Sequence, residues 1–479
     1  MKVSLVLVLI FLSLQTFAQK KYEISMPIMP KNLLPTKQWY YYHYFISKYL
    51  FRNLVSVDNK GLLRGDIAKR WTISKDGRKY TFQLKKDVVY QGYHITAHDI
   101  EYSFKQYFDK SNKSSIKSYL MNAFRLEGKD LSKQNYGELV QVNDDYSITF
   151  NLKKPYAPFL YVLSLPTFGI IPKITSKTDY TFLKDGTVPG KFARNVVLKF
   201  NNDKLSIVSK DKEIAISKGK NLLGYDVAMG ISEKEVNLLR DHGYSVISLN
   251  GLAINHLYFN CADEFSLALK QRTFLKKIFQ ESFKKVEDTS LISSQTTFLP
   301  NGIMPRPYYL TSLEKSVEKV KIDKKIRIIL RVEHFPVKVI ERLKKNLSEY
   351  QIKFDIILIE GKDYVKNLQE RKYHLISGAS VGVFPDPDGF LSILEESNRY
   401  KFLNCNTSNL MDSLSKHRNS NNVVDRLKGY SESFSSFESE NKIIQAFSIK
   451  PIIVMKSKRK LSRFSYKFIP SLGDVIDEN

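Results

Sequence analysis

Hydrophobic and polar residues alternate most regularly in the stretch "KYTFQLK". There Tyr80, Phe82 and Leu84 are separated by polar residues, and this period of two predicts a half-buried strand. The later stretch "YSITFNLKKP" repeats the alternation until a proline ends it, which predicts a second strand. Between the two, "TAHDIEYSFKQYF" offers Thr96 as an N-cap with Asp99 three residues on, and then apolar residues at helical spacing. These segments predict a mixed α/β unit.

Residues 325–378 predict a regular alternation of strands and helices. The strands are expected at "KIRIILRVE", "IKFDIILIE" and "YHLISG", and the helices at "PVKVIERLKKNLSEY", which begins with Pro336, and "KDYVKNLQE". Short connections between such elements favour a parallel sheet with right-handed crossovers. Ligands of such sheets bind beyond the carboxyl ends of the strands. The stretch "GASVGVFPDPDG" begins where the third strand ends, so we expect it to face a ligand.

That stretch also contains a G-x-S-x-G string around Ser380. A nucleophile elbow needs a helix directly after its serine, but Pro385 and Pro387 disfavour regular helical hydrogen bonds there. A carboxylate metal loop that starts at Asp386 would lack oxygen ligands at its fifth and twelfth positions. We therefore interpret Asp386 and Asp388 as turn residues that accept local backbone N–H bonds. We predict no catalytic residue and no metal site.

The first eighteen residues resemble a secretory signal peptide. Lys2 precedes an apolar run of about a dozen residues, and Thr16 and Ala18 form a small-x-small cleavage site. No cysteine follows the run, so no lipid anchor is expected. No later stretch approaches the ~18 apolar residues of a spanning helix. We expect an exported, periplasmic protein whose fold begins after residue 18.

The chain is strongly basic, with a formal net charge of +26, although 43% hydrophobic and 26% charged residues are ordinary for a globular protein. The charge is compatible with anionic ligands or surfaces. The basic residues are nevertheless scattered, with one short cluster at 456–460, and we interpret them as a solvated surface without a nucleic-acid partner. Cys261 and Cys405 have no metal-ligand spacing, and the sequence leaves open whether they pair. His94 and His98 lie four residues apart at the start of a helix, and we expect neither a metal nor another cofactor there.

Residues 62–104 resemble a signature of the extracellular solute-binding proteins of family 5, the oligopeptide, dipeptide and nickel-binding type that supplies ABC importers. The signature runs from "P-x-L-A-x-x-W" through "S-x-D-G-x-x-Y-T-F-x-L-R-x-x-V" to "T-A-x-D-V". The residues that match it in register are Trp71, Ser74, Asp76, Gly77, Tyr80, Thr81, Phe82, Leu84, Val88, Gly92, Thr96, Ala97 and Asp99. The later stretches "HLYFN" and "YHLISGASVGVFPDPDGFL" are similar to the strand that crosses into the second lobe and to the loop ending in "D-P-x-x-F-L".

The resemblance implies an α/β, two-lobed type II periplasmic-binding-protein fold with a hinge and an interlobe cleft. The first lobe is expected at 19–257 with a subdomain at about 61–163, the second lobe at 258–446, and a return to the first lobe at 447–479. The implied function is that of a periplasmic substrate-binding protein of an ABC transporter. Such a protein is not an enzyme: it is a monomer that captures a peptide or similar small solute by lobe closure and delivers it to a membrane permease.

One departure from the family concerns the ligand. In peptide-binding members an acidic residue just before the "D-P" element pairs with the α-amino group of the peptide, and Val383 occupies that position here. A valine cannot make this charge-assisted bond. A receptor for a non-peptide anionic solute therefore stays open as an alternative, as does an exported serine hydrolase that uses Ser380.

Candidate ligand contacts follow from the position of the loop and from an aromatic run that the resemblance places across the cleft. Backbone groups that continue the third strand would pair with an extended peptide as an added strand. The candidate ligand-binding residues are Trp39, Tyr40, Ala379, Ser380, Val381, Gly382 and Val383.

Overall fold

The structure is a computed structural model, and every structural statement below refers to the part of the chain that it describes. The described residues are 20–37, 41–58, 62–109, 120, 123–124, 126, 135–175, 185–188, 196–201, 204–219, 221–248, 253–261, 264–286, 292–294, 318–332, 334–381, 386–391, 408–420, 422–449, 452–456 and 472.

The strands fall into two long groups along the chain, followed by one returning strand. The first group is β1 Lys20–Ser25, β2 Val55–Val57, β3 Leu63–Gly65, β4 Ala68–Ile73, β5 Lys79–Leu84, β6 Val89–Tyr90, β7 Tyr93–His94, β8 Val140–Asp144, β9 Ser147–Asn151, β10 Asp185–Val188, β11 Val197–Asn201, β12 Lys204–Val208, β13 Lys212–Ser217, β14 Val227–Met229 and β15 Ser245–Ser248. The second group and the returning strand are β16 Ala253–Phe259, β17 Ile292–Ser294, β18 Ile326–Arg331, β19 Phe354–Ile359, β20 Leu375–Val381, β21 Ile443–Ile449 and β22 Ile452–Met455.

Helices lie between these strands in both groups. They are α1 Tyr41–Leu50, α2 Ala97–Phe108, α3 Tyr136–Leu139, α4 Phe159–Leu163, α5 Glu233–Asp241, α6 Leu269–Lys284, α7 Val337–Glu349, α8 Tyr364–Glu370, α9 Asp388–Leu391, α10 Ser408–Arg418 and α11 Val423–Ser439. Short 3-10 turns occur at Pro35–Lys37, Pro166–Phe168, Lys173–Thr175, Leu222–Gly224 and Gly361–Asp363.

Two large sheets organise the chain. The first has eight strands in the order β10-β11-β12-β13-β1-β14-β22-β15, and the second has six in the order β17-β21-β16-β20-β18-β19. A four-stranded sheet, β4-β5-β9-β8, and the two-stranded pairs β2-β3 and β6-β7 belong to the N-terminal part. We call the unit built on the eight-stranded sheet and these smaller sheets the first lobe, and the unit built on the six-stranded sheet the second lobe.

The elements predicted from local periodicity are confirmed. The two alternating stretches form β5 and β9, which pair antiparallel in the four-stranded sheet. Helix α2 begins after Thr96, and the Asp99 carboxylate accepts a hydrogen bond from the Thr96 backbone N–H at 2.8 Å. Asp99 is fully buried and also accepts a bond from the Lys173 N–H at 2.8 Å. The capping residue therefore also fixes a distant loop onto the start of the helix.

The predicted strand–helix alternation is also confirmed, as β18-α7-β19-α8-β20. Strand β18 pairs in parallel with β19 over its whole length and with β20 at two positions. The apolar side of α7 packs with α6 on one face of the sheet, in a core that includes Phe274, Val339 and Leu343. Helices α8, α10 and α11 cover the other face, in a core that includes Tyr364 and Tyr430. The carboxyl ends of three parallel strands consequently lie at one edge of the second lobe.

Strand pairing locates where the chain crosses between the two large sheets. Strand β15, which ends at Ser248, pairs within the eight-stranded sheet, and all of β16, from Ala253 to Phe259, pairs within the six-stranded sheet. Strand β21 pairs with β16, and β22 pairs with β14 and β15. The expected lobe boundaries at 257/258 and 446/447 stay predictions.

Two further predictions concern covalent and membrane structure. Cys261 is disulfide-bonded, and Cys405, the second of the two cysteines in the sequence, lies outside the described residues. None of the helices described here is long and apolar enough to cross a membrane. The predicted signal peptide, residues 1–18, also lies outside the described part and stays a prediction.

His256 makes the stability of the second lobe depend on pH. It lies fully buried in the central strand β16, and burial lowers the pKa of His256 to about 3. The unfolded chain, with an ordinary histidine pKa of about 6.5, binds more protons than the folded chain below that pH, so stability falls as the pH decreases. We expect a loss of about 2 kcal/mol between about pH 7.5 and about pH 5 from this group.

Urea unfolding of the wild type and of His256→Gln at both pH values measures this contribution. The variant should lose about 2 kcal/mol less than the wild type over the interval, because glutamine does not titrate. The other buried histidines contribute equally to both proteins. Equal pH dependence in the two proteins would show that His256 takes up its proton without unfolding.

Candidate functional site

Among the described residues, the last residues of β20 pair on one side only, which leaves a free backbone edge on the other. Ala379, Ser380 and Val381 pair antiparallel with β16, so their other edge faces β18. The pairing of β18 with β20 in the described chain stops at Ile376. Backbone N–H and C=O groups past the end of such a ladder can pair with an extended ligand. This is the position that the sequence predicts for a ligand.

A side chain ends the ladder between β18 and β20. The Arg331 backbone N–H donates to the Ser377 Oγ at 2.8 Å, where a continuing ladder would use a main-chain acceptor. The Arg331 guanidinium lies over the Tyr364 ring, 5.3 Å from its centroid. Arg331 is half-buried and stands at the carboxyl end of β18. The site therefore has a cation, held on an aromatic ring, beside the free edge of β20.

The backbone around Ser380 does not have the shape of a nucleophile elbow. Ser380 pairs with Ile254 inside a regular ladder, the strand continues to Val381, and the next described helix, α9, begins only at Asp388. An elbow needs its serine on a sharp strand-to-helix turn, so that the helix N-terminus stabilises an oxyanion. The first glycine of the string, Gly378, instead serves packing. A Cβ there would overlap the Tyr258 ring and stand 3.2 Å from the Tyr364 hydroxyl.

Several predicted contacts cannot be placed. Trp39, Tyr40, Gly382 and Val383 lie outside the described residues, and their roles stay predictions. Of the other candidates, Ala379 is half-buried, and the backbones of Ser380 and Val381 form the end of β20.

The prediction for Asp386 and Asp388 was incomplete. One local bond is present, from the Asp388 N–H to the Asp386 Oδ1 at 3.0 Å. Each carboxylate, however, has a buried arginine as its main partner. Arg418 Nε lies 2.5 Å from Asp388 Oδ1, and Arg426 Nη1 contacts Asp386 Oδ2. We call these four residues the Asp–Arg cluster. No local pattern predicted the pairing, because the partners are 30 and 40 residues apart.

The Asp–Arg cluster is shielded from solvent, with side-chain exposures of 5% or less. The pKa values of Asp386 and Arg426 are both raised, for different reasons. Burial raises the pKa of Asp386, although Arg426 opposes this shift. Burial alone would lower the pKa of Arg426, but the Asp386 carboxylate raises it above the ordinary value. The two groups lie within hydrogen-bond distance, and a neutral acid would leave the buried guanidinium without a counter-charge. The Asp386–Arg426 pair is therefore ionised.

Helices α10 and α11 form a tight antiparallel hairpin that carries both arginines. The Ser413 and Ser433 hydroxyl oxygens lie 2.6 Å apart across it. At Gly429 the approach is so close that a Cβ would overlap the His417 ring. The hairpin thus carries both arginines that contact Asp386 and Asp388. Arg418 lies at the end of α10, and Arg426 lies in the first turns of α11.

Metal-binding groups are not brought together in the described residues, which contain no set of three or more His, Cys, Asp or Glu side chains that could hold an ion. His94 Nδ1 lies 3.1 Å from the Lys86 carbonyl oxygen, and His98 lies 3.6 Å from the Asp145 carboxylate. Each histidine therefore has its own local contact.

Two lobes built on separate mixed sheets, with a free strand edge at the carboxyl ends of parallel strands, define a type II periplasmic-binding-protein fold. The sequence comparison agrees. Residues 63–197 match the family described as bacterial extracellular solute-binding proteins, family 5, middle region. The resemblance to family 5 is thereby confirmed.

Relatives of known activity match part of the chain. A dipeptide-binding protein of Lactococcus lactis is 29% identical over 202 residues, which are 41% of this chain and 36% of that protein. The periplasmic oligopeptide-binding protein OppA of Escherichia coli is 30% identical over 161 residues, 31% of this chain and 28% of its own length. The matched segments thus span about a third of the first relative and less than a third of the second.

Solved structures match nearly the whole chain. The periplasmic murein tripeptide binding protein MppA, in an unliganded open form, superposes with a TM-score of 0.77 at 18% identity, over 95% of this chain and 96% of MppA. NikA of Brucella suis, in complex with Fe(III)-EDTA, gives 0.73 at 18% identity, over 94% and 98%. These similarities show the fold, and they confirm its prediction.

Gly378 provides a test of the packing beneath the free edge. Gly378→Ala should destabilise the protein by about 1–3 kcal/mol, because its methyl group overlaps the Tyr258 ring. Denaturant unfolding measures the change. Gly137→Ala is the matched control, since its Cβ would meet only the Asn135 side chain at 3.6 Å, and its effect should stay within about 0.5 kcal/mol. Equal effects at both glycines would contradict the packing role of Gly378.

Proposed function

We propose that this chain is the periplasmic substrate-binding protein of an ABC importer. It captures a peptide or a similar small solute between its two lobes and delivers it to a membrane permease. The observation that carries the proposal is the free backbone edge of Ala379–Val381 at the carboxyl end of the parallel strands. An extended peptide would add to this edge as a strand, since main-chain pairing supplies affinity and pockets for alternate side chains supply specificity.

Ligand capture follows from differential affinity for two arrangements of the lobes. A ligand that contacts β20 and the first lobe together makes both sets of contacts only when the lobes are closed, so it shifts the population toward the closed form. The permease would then recognise the closed form, which is the ligand-bound form of the protein. This mechanism needs no bond-breaking step, and we assign no catalytic residue. The relatives named as dipeptide- and oligopeptide-binding proteins support a peptide as the first ligand class.

A non-peptide anionic solute is the second candidate. It is supported by the net charge of +26, by Val383 at the position of an amino-group anchor, and by Arg331 beside the free edge. A guanidinium held on an aromatic ring keeps its charge and its planar set of donors. Both ligand classes would present an anionic group to the same edge of the second lobe.

Thermal unfolding distinguishes the two classes. Ligand-stripped, refolded protein should be stabilised by trialanine, by about 2.7 kcal/mol when the peptide is at about a hundredfold excess over its Kd. N-acetyl-trialanine, which lacks the amino group, is the matched control ligand. Stabilisation by both peptides would show a peptide site without an amino anchor. Stabilisation only by anionic sugars, chelates or nucleotides would remove the peptide assignment.

Val383→Asp tests the missing anchor separately. An aspartate in that position should raise the affinity for trialanine about tenfold or more, because a hydrogen bond between charged groups contributes about 1.5–3 kcal/mol. Val383→Asn is the control, with nearly the same size and no charge, and N-acetyl-trialanine should gain nothing from either change. Calorimetric titration gives the affinities. If aspartate brings no gain, the register that places Val383 against the peptide amine is wrong.

A further inference from the structure

The first lobe touches the Asp–Arg cluster directly. Tyr156, which follows β9 and belongs to the core of the first lobe, donates its hydroxyl hydrogen to Asp388 Oδ2. The next residue, Ala157, donates its backbone N–H to the Arg418 carbonyl oxygen at 3.2 Å. These two bonds join the first lobe to the segment that leaves β20 and to the end of α10. They therefore span the two lobes.

The contact is buried, and its second-lobe side contains the Asp388–Arg418 ion pair. Tyr156 and Arg418 are each 2% exposed, and Asp388 is 1% exposed. A hydrogen bond to an ionised carboxylate is stronger than a neutral one, and exclusion of water strengthens it further. Any separation of the lobes at this point has to break the Tyr156–Asp388 bond and admit water to a buried ion pair. The contact thus favours the arrangement in which the lobes are together.

Both partners are held firmly by their own lobes. On the first-lobe side the Tyr80 hydroxyl donates to the Tyr156 carbonyl oxygen at 3.1 Å, and the Tyr80 ring packs on Phe159 at 4.8 Å. On the second-lobe side Arg418 holds the other oxygen of Asp388. Asp388 lies seven residues after Val381, the end of the free edge. A shift of Tyr156 would therefore move a carboxylate that has little freedom to move alone.

We propose that Tyr156 is a positioning residue that couples the ligand edge of β20 to the first lobe and slows ligand release. The proposal rests on the function proposed above, and Tyr156 acts through Asp388 without touching the ligand. In this proposal, separation of the lobes during release breaks the Tyr156–Asp388 bond. Loss of the hydroxyl should therefore raise the dissociation rate and leave the association rate nearly unchanged, as is usual when a bond within a complex is lost.

Tyr156→Phe removes only the hydroxyl and keeps the buried ring. Its matched control is Tyr107→Phe, because Tyr107 is equally buried and donates its hydroxyl to the Gly169 carbonyl oxygen at 2.6 Å, wholly within the first lobe. Tyr156→Phe should lose more stability than Tyr107→Phe, because its hydroxyl donates to a carboxylate and not to a neutral carbonyl oxygen. For Tyr156→Phe alone we expect about a tenfold faster dissociation of trialanine in stopped-flow binding, the effect of losing one hydrogen bond to a charged group. Its association rate should stay within about twofold of the wild type.

Hydrogen exchange tests the coupling without any ligand. The peptide that contains residues 386–391 should exchange severalfold faster in Tyr156→Phe than in the wild type, and at the wild-type rate in Tyr107→Phe. Equal exchange of this peptide in the two variants would overturn the proposal. If the wild type binds no trialanine, the peptide assignment fails, and the exchange result still decides whether Tyr156 holds the segment. Faster exchange with an unchanged dissociation rate would restrict Tyr156 to a structural role and also overturn the proposal.

Discussion

Two buried carboxylate–guanidinium pairs hold Asp386 and Asp388, which follow β20 in the chain. Taking four charges out of water costs several kcal/mol per ion, and their mutual attraction offsets this only when the hydrogen bonds are well formed. Removal of a single partner leaves a buried charge without compensation, which costs about 3–5 kcal/mol. The segment at Asp386–Asp388 is therefore restricted to positions that meet both arginines. The contact with Tyr156 depends on that restriction, because Tyr156 donates to Asp388.

The packing of the six-stranded sheet explains why this edge is available. Strand β20 is central, and its two ladders end at different points, at Val381 on the β16 side and at Ile376 on the β18 side. The absence of a side chain at Gly378 also shapes the surroundings of this edge. Gly378 lets the Tyr258 and Tyr364 rings approach the strand, and Tyr364 in turn supports the Arg331 guanidinium. A glycine that resembles part of a nucleophile elbow in the sequence thus belongs to an aromatic packing arrangement.

The sequence predicted what depends on neighbours along the chain, and it could not predict what depends on tertiary register. Alternation identified β5 and β9, and the strand–helix alternation identified the parallel part of the second sheet with its functional edge. The Asp–Arg cluster was missed because Asp388, Arg418 and Tyr156 come from three distant segments, and Tyr156 lies 232 residues from Asp388. Nothing in the local pattern of a polar helix end distinguishes a buried arginine from the many exposed ones in a chain of charge +26.

The same distinction explains why the ligand class is harder to infer than the fold. A backbone edge recognises any extended chain, since its N–H and C=O groups are the same for every peptide sequence. Discrimination must come from side chains at the two ends of the ligand and along the cleft. In the proposed register Val383 stands where peptide-binding members of the family have an anion, and at the carboxyl end of β18 the Arg331 guanidinium stands over Tyr364. With this register, the proposed site would favour ligands with an anionic group and would depend less on a free amino terminus than a site with an acidic anchor does.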